Sequence, residues 1–275
     1  MTNPAPSTRL PALFLGHGSP MTMITDCPER RAMGILGQNL LARLPAPRAI
    51  LCITAHWETT GLTHLTTGVA PRTIHDFRGF PPELYEVTYP APGADWLVAR
   101  VAELAGQGRV TGDGSWGFDH GVYGVVLPLL GTSEIPTLAM SLNRSLSPAE
   151  HLALAASLAP LRDEGVLIVA SGNIVHNLAV WRQSVGTVPV WARGFQDRIN
   201  AALLAGDTQT LTQISSDDEA AQLAINSGEH YLPLLYAAGV RQPGDGVALF
   251  SDTVDGSLSM TSVLFGDVGL AEGLA

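Results

Sequence analysis

Thiol chemistry is nearly absent from this sequence. Only Cys27 and Cys52 occur among 275 residues, and neither belongs to a C-x-x-C pair. That excludes a disulfide framework and a thiolate zinc site. Positive charge is also scarce: 15 basic residues stand against 25 acidic ones, the net charge is −10, and no basic run forms a stripe. Such a chain offers no electrostatic footprint to nucleic acid or to an anionic membrane. No apolar segment is long enough to span a bilayer. The opening Met1-Thr2-Asn3-Pro4-Ala5-Pro6 lacks the basic and apolar regions of a signal peptide, so a cytoplasmic protein is expected. Two common catalytic signatures are missing as well. There is no G-x-S-x-G elbow, since Pro20 follows Ser19 directly, and Gly16-His17-Gly18 lacks the third glycine of a dinucleotide fingerprint.

What the chain does have is an apolar fraction of 46 %, enough for a large core, with 29 glycines and 19 prolines scattered rather than gathered into a linker. A single catalytic domain over residues 1–275 is expected, with 1–9 a loose lead. Apolar runs at 10–15, 49–54, 136–142 and 165–170 read as strands buried on both faces. A shorter strand is expected at 62–66, and a closing pair at 247–251 and 258–265. Helical spacing predicts helices over 29–43, ended by Pro45, and over 94–105, with Trp96, Val98, Val101 and Leu104 buried. Another is expected over 122–130, and most of 188–240 reads as helical. Ser147-Pro148-Ala149-Glu150 spells a capping box opening a further helix, on which His151 is expected to face solvent. Strands alternating with helices point to an α/β three-layer sandwich with a mixed central sheet.

Histidines recur where strands stop. His17 lies between Gly16 and Gly18, His56 follows the run ending at Ala55, and His176 follows Ser171-Gly172-Asn173. His120 closes the glycine-rich stretch Gly112-Asp113-Gly114-Ser115-Trp116-Gly117-Phe118-Asp119. In an α/β fold the carboxyl end of a strand faces a crevice. Several imidazoles there, without cysteine, suit a borderline divalent metal and not calcium or magnesium. Glu229 and His230, consecutive on a helix, diverge by about a hundred degrees around its axis. One of the two is therefore expected to complete the site, and chemistry alone leaves that choice open. The proline- and aromatic-rich segment 71–93 is irregular and is a candidate wall for a planar ligand.

Several motifs occur together and in order: Gly16-His17-Gly18-Ser19-Pro20, Ala55-His56-Trp57, Thr73-Ile74-His75-Asp76-Phe77 with Gly79-Phe80-Pro81, and Tyr89-Pro90-Ala91-Pro92-Gly93. Asp119-His120-Gly121, Val175-His176-Asn177 and His230-Tyr231-Leu232-Pro233-Leu234 follow. With these the chain resembles the 4,5-DOPA extradiol dioxygenases, LigB-like class III ring-cleavage enzymes, from about residue 10 to 266. The resemblance implies a metal-dependent enzyme that uses O2 to open a catechol ring beside its diol, with L-DOPA as the expected substrate. It implies Fe2+ as cofactor, with Zn2+ possible in the site, held by His17, His56 and His230. His176 is implied as an active-site base or additional ligand, and His120 as a further active-site histidine. The same resemblance prefers His230 to Glu229, a departure from the facial triad of the wider class. A metal-dependent hydrolase and a non-catalytic binding protein on the same fold stand as alternatives. The sequence does not fix an oligomeric state.

Overall fold

The computed structural model describes residues 9–214 and 217–274. The expected loose lead therefore lies outside the described residues except for Arg9, whose Nε donates to Asp163. Eight strands build one mixed sheet: β1 (Ala12–Gly16), β2 (Ala49–Thr59), β3 (Thr63–Thr66), β4 (Val110–Asp113), β5 (Thr137–Asn143), β6 (Val166–Gly172), β7 (Gly246–Phe250) and, after a two-stranded hairpin of β8 (Val254–Asp255) and β9 (Leu258–Ser259), β10 (Ser262–Gly266). Their order is β4-β3-β5-β2-β6-β1-β10-β7. The centre, β5-β2-β6-β1, is wholly parallel, and β10 and β3 join it antiparallel on either side.

Continuous apolar strands follow from coverage on both faces. Alternate residues face opposite sides. Ala12 and Phe14 of β1, Leu51 and Ile53 of β2, and Ile168 and Ala170 of β6 enter one core, beneath the helices Asp95–Ala105, Pro148–Ser157, Val190–Ala205 and Leu232–Gly239. Leu13, Leu15, Ile50, Cys52, Leu167 and Val169 enter the other, beneath Pro28–Arg43 and His120–Leu130. The three-layer α/β sandwich is the architecture present.

Several local expectations need correction. Strand β2 runs five residues beyond the expected end and carries His56 within it; pairing with β6 stops at Thr54, and the β5 register shifts between Ile53 and Glu58. The glycine-rich stretch before His120 begins within β4, a short edge strand with only partial burial. Within the irregular segment, Pro82–Glu86 forms one short helix. Helix Asp95–Ala105 buries Leu97, Val101 and Ala105 at four-residue spacing, while Trp96 turns outward under Arg48. The capping box at Ser147 is present, but His151 is fully buried, its Nδ1 2.9 Å from the Tyr236 hydroxyl. The helix carrying it packs against Leu232–Gly239, so the face read as wet is an interface.

Candidate metal centre

The parallel centre of the sheet brings three chain segments to one edge. His17 follows the last residue of β1, His56 projects from the register shift of β2 between Ile53 and Glu58, and His176 follows β6, which lies between them. His120 is the first residue of helix His120–Leu130. Glu229 and His230 precede helix Leu232–Gly239 in a turn; they are not on the helix itself. Their side chains are therefore not set a hundred degrees apart by helix geometry. Gly172 permits this turn to approach: a methyl group there would overlap the His230 carbonyl oxygen.

All five histidines line a single cavity of about 770 Å³, together with Phe77, Arg78, Phe80 and Trp181. His64, His75 and His151 lie elsewhere, on Asp113, on the Val87 carbonyl and on Tyr236. The ring centroids of His17, His56 and His230 form a nearly equilateral triangle, with separations of 5.0, 5.1 and 5.1 Å. His120 lies 4.0 Å from His56 and 5.6 Å from His17. His176 stacks on His230 at 3.5 Å with ring planes 6° apart.

Each of four rings has one nitrogen already committed. His17 Nδ1 lies 3.0 Å from Ser171 Oγ, and His230 Nδ1 lies 2.9 Å from Glu229 Oε1, which also accepts from the Ser227 hydroxyl. Asp76 serves two rings at once. Its Oδ2 lies 3.0 Å from His56 Nδ1 and 2.8 Å from His120 Nδ1, while Oδ1 accepts from the His120 backbone N–H at 2.9 Å. The carboxylate thus also caps the helix that His120 begins, where negative charge is favoured. Asp119 stands at the N-cap position but faces away, toward the Thr54 hydroxyl and Trp116 Nε1 at 2.7 and 3.1 Å. With Nδ1 engaged, each ring's Nε2 is left to the interior, and those of His17 and His56 approach to 3.2 Å.

Electrostatics keep most of these rings neutral. Burial lowers the pKa of His17 and His230 well below the ordinary value, helped by the neighbouring imidazoles. His120 is also lowered, chiefly by burial and by His56, against the pull of Asp76. Burial takes His176 to about 4. His56 is the exception. Burial pulls it down, but the hydrogen bond to Asp76 and the charges of Asp119, Asp76 and Glu229 carry it above its ordinary value. Burial would raise Asp76, yet its hydrogen bonds to His120 and His56 hold it far below the carboxylate range.

Neutral imidazoles, each oriented by an oxygen on its far nitrogen, match the pattern of metal-bound histidine backed by a carboxylate or hydroxyl. The donor atoms of His17, His56 and His120 all lie within 4.8 Å of one another, as do those of His176, Glu229 and His230. These residues fit a borderline divalent ion. Sequence reasoning missed Asp76, Ser171 and two arginines of the cavity wall, Arg78 and Arg182. Asp76 sat inside a segment already marked as a ligand wall, and a carboxylate beside Phe77 in such a loop was its one visible signal.

The chain is similar to several known proteins. A sequence model for the catalytic LigB subunit of aromatic ring-opening dioxygenase matches residues 11–252. A 4,5-DOPA dioxygenase extradiol of Escherichia coli K12 is 42 % identical over 266 residues, covering 94 % of this chain and 96 % of its own. One from Beta vulgaris is 33 % identical, with 89 % and 92 % covered. The crystal structure of an uncharacterized Escherichia coli K12 protein superposes with a TM-score of 0.78 at 37 % identity, covering 94 % of this chain and all of that one. On sequence, fold and the metal dependence that goes with them, the chain belongs to the LigB family and is an extradiol ring-cleaving dioxygenase, acting with O2 on a small molecule.

Proposed function

We propose that the enzyme opens the ring of L-DOPA between carbons 4 and 5, giving a seco-DOPA that cyclises toward betalamic acid, with iron(II) held by His17, His56 and His230. The observation that carries this reading is the set of Nδ1 partners on Ser171, Asp76 and Glu229, which leaves Nε2 uncommitted to those oxygens on three rings whose centroids form a nearly equilateral triangle. Iron(II), when bound, acidifies catechol hydroxyls and supplies the redox chemistry with O2 that zinc lacks.

The remaining work belongs to the chain. His176 is neutral at physiological pH, since burial takes its pKa to about 4, and it is available to accept a catechol proton. Its parallel stacking on His230 favours that role over ligation, because the in-plane lone pairs of two stacked rings do not converge on one point. His120, fixed through Nδ1 and its backbone N–H by Asp76, presents Nε2 to the reacting oxygens. Phe77 lies edge-on to His120 at 5.6 Å and packs on Phe80, which gives the substrate ring an apolar wall and keeps water from it. Glu229 acts from behind His230 as its orienting carboxylate. We take the enzyme to work in the cytoplasm; among the described residues no helix is long and apolar enough to cross a membrane.

The test is oxygen uptake. Protein purified without oxygen, loaded with iron(II) and given L-DOPA in air is expected to consume O2 as a yellow chromophore grows, and the zinc-loaded protein is expected to do neither. Equal turnover with zinc would refute the iron assignment, and uptake confined to other catechols would refute the substrate.

A further inference from the structure

The charge lining the cavity runs against that of the molecule. The chain carries −10, yet no aspartate or glutamate lines the cavity, whereas Arg78 and Arg182 do. All fifteen basic residues are arginine, and the sequence contains no lysine. Arg30, Arg78 and Arg182 are the three whose side chains make no hydrogen bond or ion pair with the described residues. The others donate to carboxylates or carbonyls across the molecule. Two of the three uncommitted guanidinium groups therefore stand in the wall of the one cavity that gathers five histidines. They come from different elements: Arg78 follows Phe77 in the irregular segment, and Arg182 follows Trp181 on helix Leu178–Ser184. A guanidinium stays charged at every relevant pH and pairs with carboxylates through a planar fork of donors.

We propose that Arg78 and Arg182 bind an anionic group at the far end of the substrate's side chain, and that the cavity prefers catechol acids without an amino group to L-DOPA itself. The inference rests on the extradiol reading for the position of the diol, which faces the histidines. It goes beyond that reading in the charge of the other end. An α-ammonium finds no carboxylate in the cavity lining to pair with and meets two cations. A carboxylate meets two donors that nothing else among the described residues occupies. Dihydrocaffeate has the skeleton of L-DOPA without the amine, methylcatechol has neither charge, and dopamine carries only the cation.

The experiment compares these four on the iron(II)-loaded enzyme. The expected order of kcat/KM is dihydrocaffeate, L-DOPA, methylcatechol, dopamine, with the first preferred to methylcatechol by about tenfold or more, as charge-assisted pairing provides. High salt is expected to shrink that preference, because both guanidinium groups are exposed. The double variant Arg78→Gln/Arg182→Gln should bring the dihydrocaffeate-to-methylcatechol ratio close to one, through KM. Arg30→Gln, outside the cavity, should leave the ratio as in the parent. Calorimetry on the metal-free protein, comparing dihydrocaffeate with its amide, reads the same preference without turnover. If no catechol consumes oxygen, the extradiol reading fails while calorimetry still decides the anion site. Methylcatechol or dopamine matching dihydrocaffeate, or a ratio that survives the double substitution, overturns the proposal.

Discussion

At the scale of single residues, Asp76 and His151 make the most direct predictions. Asp76 holds His56 and His120 through one oxygen and the helix start through the other. Asparagine retains one acceptor oxygen and cannot serve both the two rings and the helix start. Asp76→Asn is expected to weaken metal binding by about 10–100-fold, as loss of such orienting partners does elsewhere. Competition against a chelator of known affinity measures this, and unchanged affinity would remove Asp76 from the site. His151 makes a prediction about acid stability. Burial takes its pKa from 6.5 to about 4 in the folded protein. Between those values the unfolded chain holds a proton that the folded chain does not. Its contribution is therefore complete above about pH 6.5, declines as pH falls, and stops declining below about 4. At pH 5 the loss is about 2 kcal/mol by that linkage. Denaturant unfolding of the parent and of His151→Gln at pH 7.5 and 5 should show the parent's advantage shrinking by about that amount. A constant difference would contradict it.

These two residues also mark how far the sequence can be read. His17, His56 and His176 were legible because each ends an apolar run beside glycine or small residues, a local pattern with one geometric meaning. Asp76 was not, since its role exists only where residues 44 positions apart meet. His151 was misread because a capping box locates a helix start without saying which faces of the helix are later covered. His230 was placed on a helix by its apolar neighbours, whereas the helix begins two residues later.

At the scale of elements, the site depends on how closely the turn before helix Leu232–Gly239 approaches the end of β6. Gly172 sits against the His230 carbonyl, and Asn173 N–H donates to that same oxygen at 2.8 Å. Gly172→Ala pushes first against the His230 backbone. The expected result is a displaced turn, destabilisation of about 1–3 kcal/mol and a clear loss of metal affinity, measured by unfolding and metal titration together. Gly194 is the contrasting case. It lies within helix Val190–Ala205, and a methyl group there would meet nothing within 4 Å. Gly194→Ala is expected to gain about 0.5–1 kcal/mol by reducing the freedom of the unfolded chain. The edge strand β4 escaped sequence reading for an element-scale reason as well, since four residues containing glycine and aspartate carry no apolar alternation.

At the scale of the whole molecule, the fold class was legible because strands buried on both faces announce themselves as continuous apolar runs. The strand order was not, since it depends on which crossovers the chain takes. That order is what puts β6 between β1 and β2 and brings distant histidines to one edge. The imidazoles at 17, 56, 120, 176 and 230 come from five separate stretches of chain, so no fragment carries the site. An ion that needs the assembled set binds the native state and not the unfolded one. Each tenfold excess of free metal over its dissociation constant then adds about 1.4 kcal/mol to the folding free energy. In a cell, metal supply would set not only how much of this enzyme is active but how long each copy of it lasts.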